Sequence, residues 1–180
     1  MTMTRPGLVI AAALLAAIFC GDARAQEAPS DGDGSSSRLM LAVPFFSFHA
    51  PNDRDFNDRN WGGVLFYALD DHFSLAAGDF INSYRRNTAF AGVSLTPWTI
   101  SLSRIQISPG LLAGFDLNGG YKGYDPVSPL LGAGIIKIGG RYFDDPNYRF
   151  LNRLGLMMTV IPGFGGGRST AFDLALTVRL

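Results

Sequence analysis

Phe172-Asp-Leu-Ala-Leu-Thr-Val-Arg-Leu180 alternates without a break. Phe172, Leu174, Leu176, Val178 and Leu180 share one face; Asp173, Ala175, Thr177 and Arg179 share the other. Successive side chains of a strand point to opposite sides, so a period of two reads as a strand with one continuous apolar surface. Ile105 to Asn118 repeats the pattern. Ile105, Ile107, Pro109, Leu111, Ala113, Phe115 and Leu117 point one way, and Gln106, Ser108, Gly110, Leu112, Gly114, Asp116 and Asn118 the other. From Arg38 to Leu180 the same rhythm recurs between Gly, Pro, Asn and Asp clusters, with no long amphipathic helix. Eight strands are predicted, at about 38–49, 61–70, 72–82, 88–96, 105–118, 129–139, 153–161 and 170–180.

The start of the chain has the form of an export signal. Arg5 supplies a positive charge, Gly7 to Cys20 is apolar, and Ala23-Arg24-Ala25 is a small-x-small cleavage site. The domain expectation is a signal peptide over 1–25, a flexible Asp/Gly/Ser-rich leader over 26–37 and one folded domain over 38–180. Cleavage would remove Cys20, the only cysteine, and with it any disulfide or thiol chemistry. Lys and Arg number 15 and Asp and Glu 15, so no basic nucleic-acid surface is indicated.

Export, short alternating strands and an apolar last strand fit an all-β, eight-stranded antiparallel outer-membrane β-barrel. In lipid every backbone group must be paired internally, so a spanning sheet closes on itself. A secreted barrel of lipocalin type is the alternative, with its apolar face turned inward. The small, mixed face of the fifth and eighth strands (Gly, Ser, Ala, Thr, Asp) suits a lumen better than a solvated exterior. With both termini on the periplasmic side, the first strand ends outside near His49 and the third ends outside near Asn82-Ser83.

Chemistry at this rim would need a base that titrates near neutrality and hydrogen-bond donors for developing charge. His49 titrates near neutrality, whereas His72 falls at the opposite turn. His49 reads either as that base or as a rim histidine among Phe45, Phe46 and Phe48. Ser83 reads as a nucleophile, as a group polarising an ester carbonyl, or as a turn former. Arg54, Arg59, Arg85 and Arg86 belong to outer loops, where they match phosphates or merely keep the rim soluble. Asp53-x-Asp55-x-Asn57 lacks the glycine and distal glutamate of a calcium loop, so no metal site is expected. Pro44, Pro126 and Pro129 cannot donate to a ladder and are candidate positions for openings in the wall.

Four segments, in order, resemble the outer-membrane lipid A palmitoyltransferases of the PagP family. Pro44-x4-His49 is similar to that family's Pro-x4-His. Phe56-Asn-Asp-Arg-Asn-Trp-Gly-Gly63 is similar to its Tyr-Asn-Glu-Arg-Pro-Trp-Gly-Gly. Phe80-Ile-Asn-Ser-Tyr84 is similar to its Phe-Lys-Asp-Ser-Trp, and Met158-Thr-Val-Ile-Pro-Gly163 to its Met-Thr-Tyr-Ile-Pro-Gly. The resemblance implies an acyltransferase, free of metal and cofactor, that moves a palmitoyl-like chain from a phospholipid to lipid A. Its catalytic residues would be His49, Asn82 and Ser83. Pro44, Arg59, Arg85 and Ser94 would bind substrate, with Ser94 at the floor of an acyl pocket in the lumen. A monomer in the Gram-negative outer membrane is expected, with its active site facing the extracellular leaflet.

This chain departs from the family at Asn82, where the family has aspartate, and at Asn60, where it has proline. Asn82 could orient the histidine or Ser83 but not offset a histidinium charge; weaker chemistry, or a carboxylate supplied by Asp53, Asp55 or Asp79, would follow. The first outer loop is shorter, and the leader lacks the family's amphipathic helix. Two other functions compete: a lipid A deacylase or phospholipase using the same rim with water as acceptor, and a non-catalytic structural barrel.

Overall fold

The computed structural model describes residues 37–50, 56–122, 129–140, 145, 147–163 and 169–180. The expected signal peptide, nearly all of the leader, Asp53, Asp55 and Pro126 lie outside the described residues. The strands are β1 (Leu39–Ala50), β2 (Gly62–Ala68), β3 (Phe73–Ile81), β4 (Asn87–Leu95), β5 (Ile100–Leu102), β6 (Ile105–Asp116), β7 (Leu130–Gly140), β8 (Leu154–Ile161) and β9 (Thr170–Arg179). A 3-10 turn, Arg149–Arg153, precedes β8.

Every pairing is antiparallel. The order β4-β3-β2-β1-β9-β8-β7-β6 closes on itself because β4 also pairs β6, from Phe90↔Asp116 to Leu95↔Leu111. Eight strands therefore form a closed barrel. The short β5 was not expected from the sequence. It pairs only with the first residues of β6, Ile105–Ile107, and continues the wall below the end of β4.

Closure fixes which face looks inward. Ala42, Phe66, Ala76, Phe90, Ile135, Met157 and Ala175 are buried, while Leu111, Phe115, Leu156 and Leu176 are exposed on the outside. The alternation read in β6 and β9 thus places the mixed face in the lumen and the apolar face outside. The lipocalin arrangement, with the apolar face inward, does not hold. The termini and the β2–β3 turn mark one end, called lower here; His49 and the β3–β4 turn mark the other, called upper. At the lower turn, Asp70 Oδ1 accepts the backbone N–H groups of His72 (2.8 Å) and Phe73 (2.7 Å), which holds its carboxyl below the usual range.

One seam shows why small residues are needed. Gly92 and Gly114 face each other across β4 and β6. A Cβ on Gly92 would press on the Ala113 carbonyl and lie 2.8 Å from Phe90 Cζ, and one on Gly114 would press on the Ala91 carbonyl and lie 2.6 Å from Phe90 Cε2. The two glycines make the space in which the Phe90 ring lies. Gly92→Val should displace that ring and lower stability by about 1–3 kcal/mol. Urea titration in micelles, followed by Trp61 and Trp98 fluorescence, measures it; an unchanged midpoint would contradict this packing.

Candidate functional site

The upper rim is organised by residues 56–60, which fold back between β1 and β3. Ser47 donates its N–H to Asp58 O (2.9 Å) and its hydroxyl to Asn57 O (3.0 Å). Asn57 donates its N–H to Ser83 O (2.8 Å). Its side-chain Nδ2 contacts Arg59 O (2.9 Å), Asn60 Oδ1 (3.1 Å) and Asn82 O (3.3 Å). Asn60 in turn donates to Asp173 Oδ1 (3.1 Å). These bonds tie β1, the β3–β4 turn and β9 into one polar layer. Sequence reading left Asn57 and Asp173 out of the site. Asn57 lies in a motif quoted for its neighbours, and only the inward face assigned to Asp173 hinted at a role.

His49 ends this layer. It is 3 % exposed and stacks on Phe56, with centroids 4.2 Å apart and planes 17° apart. Neither ring nitrogen has a hydrogen-bond partner among the described residues. Buried polar groups are normally paired, because leaving one unpaired costs about 1–3 kcal/mol. Edge contacts continue from Phe56 to Tyr84 (5.8 Å) and from Tyr84 to Tyr121 (6.1 Å). His49 and Ser83 thus lie at the same end, joined through Phe56, Asn57 and Tyr84.

The Asn82 side chain is engaged elsewhere. Its Oδ1 accepts the N–H groups of Tyr84 (2.9 Å) and Arg86 (3.1 Å), and its Nδ2 donates to Thr88 Oγ1 and Gly120 O, both at 3.0 Å. The expectation that Asn82 orients His49 is therefore corrected. The turn it caps carries Arg85 at φ 59°, and a turn that tight needs its N–H groups accepted locally. Asp116 completes the clamp, accepting from Gly120 N (3.0 Å) and Tyr121 N (2.7 Å). Asp79, offered as a substitute carboxylate, is held by Asn87 Nδ2 at 3.0 Å. Arg59 and Arg85 are exposed on the two upper connections, as expected, and Arg86 Nη1 donates to Lys122 O (3.1 Å).

Below the rim is an apolar cavity of about 90 Å³, lined by Pro44, Val64, Phe66, Phe80, Phe90, Leu112, Tyr121, Leu131, Met157 and Ile161, with Asn60 and Asp173 at its polar edge. That is several times the room one water needs, in a setting that disfavours water. Ser94 does not line it. Ser94 is buried one level lower, where Lys137 Nζ lies 3.5 Å from its hydroxyl, and its partner Leu112 forms the wall. The pocket floor expected at Ser94 is made instead by Phe66 and Leu112.

Two breaks in the ladder flank the cavity. The β1–β2 register runs from Leu39↔Tyr67 to Ala42↔Val64 and stops, two residues before Pro44, while β1 continues to Ala50 against β9. A bulge between Pro44 and Phe46 adds a residue there. The β7–β8 register stops at Gly134↔Val160, leaving Leu130 to Ala133 paired only to β6, and Pro162 follows β8. Gly132 faces outward, since Leu131 and Ala133 face the lumen, yet it lines the interior cavity. Leu131, Gly132 and Ala133 all border the cavity, along the stretch of β7 that β8 does not pair. Pro44 therefore marks a break as expected. Pro129 does not, because its carbonyl accepts from Asp116 N at 2.8 Å beside an intact β6–β7 ladder.

No protein-family model matches the chain, and no curated protein does. Among solved structures it is similar to the N-terminal β-barrel domain of Pseudomonas aeruginosa OprF, at 14 % identity over 79 % of this chain and 97 % of that one, with a TM-score of 0.38. The closure described above rests on the β4–β6 pairing and not on this likeness.

Asn82→Ala should strip partners from Tyr84, Arg86, Thr88 and Gly120 and destabilise the barrel by about 1–3 kcal/mol. Asn82→Asp should recover only part of that, because a carboxylate accepts from the two N–H groups but cannot donate to Gly120 O. Denaturant midpoints measure both; an Asn82→Ala protein as stable as the parent would contradict the capping role.

Proposed function

We propose that the protein is an outer-membrane acyltransferase that moves a fatty acyl, palmitoyl-like chain from a phospholipid to lipid A or a related glycolipid. The observation that carries this reading is the apolar cavity beneath the His49 rim, bordered by Leu131, Gly132 and Ala133 where β7 has no β8 partner. Such a cavity offers a lipid tail a sideways path from the bilayer into the lumen. Membrane placement is supported by the apolar exterior and by Trp61 (59 % exposed) and Trp98 (68 % exposed) towards opposite ends, where interfacial aromatics belong. The likeness to the PagP motifs supplies the reaction class.

In this reading the donor tail occupies the cavity and its ester lies at the rim. His49, whose nitrogens have no hydrogen-bond partner among the described residues, accepts the proton of the acceptor hydroxyl. The acceptor oxygen attacks the ester carbonyl, and the Ser83 hydroxyl donates to the oxyanion. Collapse of the tetrahedral intermediate breaks the donor ester bond. The departing lysophospholipid oxygen takes the proton back from His49. Phe56 holds the imidazole plane, and Asn82 fixes Ser83 through the turn. Arg59 and Arg85 meet acceptor phosphates at the upper surface.

A structural barrel is the second reading, and the fully engaged Asn82 favours it, because that residue then serves folding alone. Mass spectrometry of lipid A from cells with and without the protein separates the functions. Added acyl mass supports transfer; lost acyl mass indicates a deacylase; an unchanged profile favours the structural barrel. His49→Ala should reduce transfer by about 10²–10⁴-fold without loss of folded barrel. For chain length, Phe66→Ala should admit longer donors, whereas Ser94→Gly should leave the preference unchanged. The reverse pattern would return the floor to Ser94.

A further inference from the structure

We propose that the lower end of the lumen is an oxyanion site, built on Lys137 and Arg179, that takes a phosphate group. A second cavity of about 600 Å³ lies there, at the opposite end from His49, with Ser74, Thr96, Ser101 and Ser108 among the hydroxyl groups in its wall. Lys137 forms its roof. Nζ sits 4.9 Å from the centroid of the Phe66 ring and 3.5 Å from Ser94 Oγ, so one side chain separates the apolar compartment from the polar one. Arg179 lines the same space and passes over Gly139, where a Cβ would lie 3.7 Å from Nη2.

Neither Lys137 nor Arg179 has a carboxylate partner among the described residues, and both line the same cavity. Arg38 lines it too, and three cations facing one open-mouthed space focus a positive potential into it, while partly buried cations without a counter-charge are costly. The carboxylates lining this cavity, Asp70 and Asp71, sit on the exposed β2–β3 turn at its mouth, and Asp70 is occupied by two backbone N–H groups. A phosphate offers what is missing. It brings a charge that offsets both cations, a planar pair of oxygens for the arginine fork, and acceptors for the hydroxyl groups. A lipid headgroup and free phosphate share this chemistry. The inference does not depend on the transfer reaction at the other end.

The test uses the full chain folded in non-ionic detergent micelles, titrated with inorganic phosphate by calorimetry, and in nanodiscs of phosphatidylglycerol or phosphatidylcholine. Phosphate binding that Lys137→Met and Arg179→Gln each weaken about tenfold supports a site for a free phosphate. Selective retention of phosphatidylglycerol, lost in the same variants, supports a headgroup site. Lys137→Arg and Arg179→Lys keep the charge, and serve if the neutral variants fail to fold; Arg179→Lys should bind more weakly than the parent because it lacks the fork. Absence of binding to either probe, or equal binding by parent and variants, would overturn the proposal.

Discussion

The β4–β6 pairing turns a sheet into a tube, and everything else in the molecule inherits that closure. In a closed ring each strand is paired on both sides, so a slip of one residue would exchange every inward and outward side chain. The same constraint removes exposed edges, which a hydrocarbon surround does not tolerate. Openings can then occur only where a ladder ends early. Ladders end early above Ala42↔Val64 and above Gly134↔Val160, both at the upper half. Between them lies the apolar cavity, and above it lies the His49 layer.

The lumen is divided by chemistry more than by shape. Phe66, Phe90 and Leu112 fill the middle; Lys137 and Arg179 face the lower space; Asn60 and Asp173 edge the upper one. The Phe90 ring needs Gly92 and Gly114 beneath it, so the small residues of the seam and the filled bore belong to one solution. At the rim, Asn57, Asn82 and Asp116 spend their polar atoms holding loops against one another. Among the described residues His49 spends none, and this contrast singles it out.

Strand positions were legible because a barrel wall writes its two environments directly into alternate residues. Each of the eight predicted strands lies within two residues of its observed ends. The short β5 was missed because three residues carry too little period to be seen. The shared rim of His49 and Ser83 followed from counting strands. Their surroundings did not. Asn82 was read as an orienting catalytic residue because of the motif around it, while its contacts with Thr88 and Gly120 are tertiary and leave no local signature. Asp173 was assigned to the lumen, but its meeting with Asn60 spans the whole chain. Ser94 was placed on the correct face and the wrong level, because alternation fixes the side of a strand and not the depth at which facing side chains meet.

Access of lipid tails to the upper lumen is the claim on which the functional reading rests. Its most direct test is paramagnetic relaxation of methyl groups in bilayer discs whose phospholipid carries a nitroxide near the end of its acyl chain. Leu156 and Leu176 face outward, and Met157 faces the cavity. Strong relaxation at Met157 and Leu131, comparable to that at Leu156, is the predicted result. Relaxation confined to Leu156 and Leu176, with Met157 untouched, would show a wall sealed to lipid and would contradict the account.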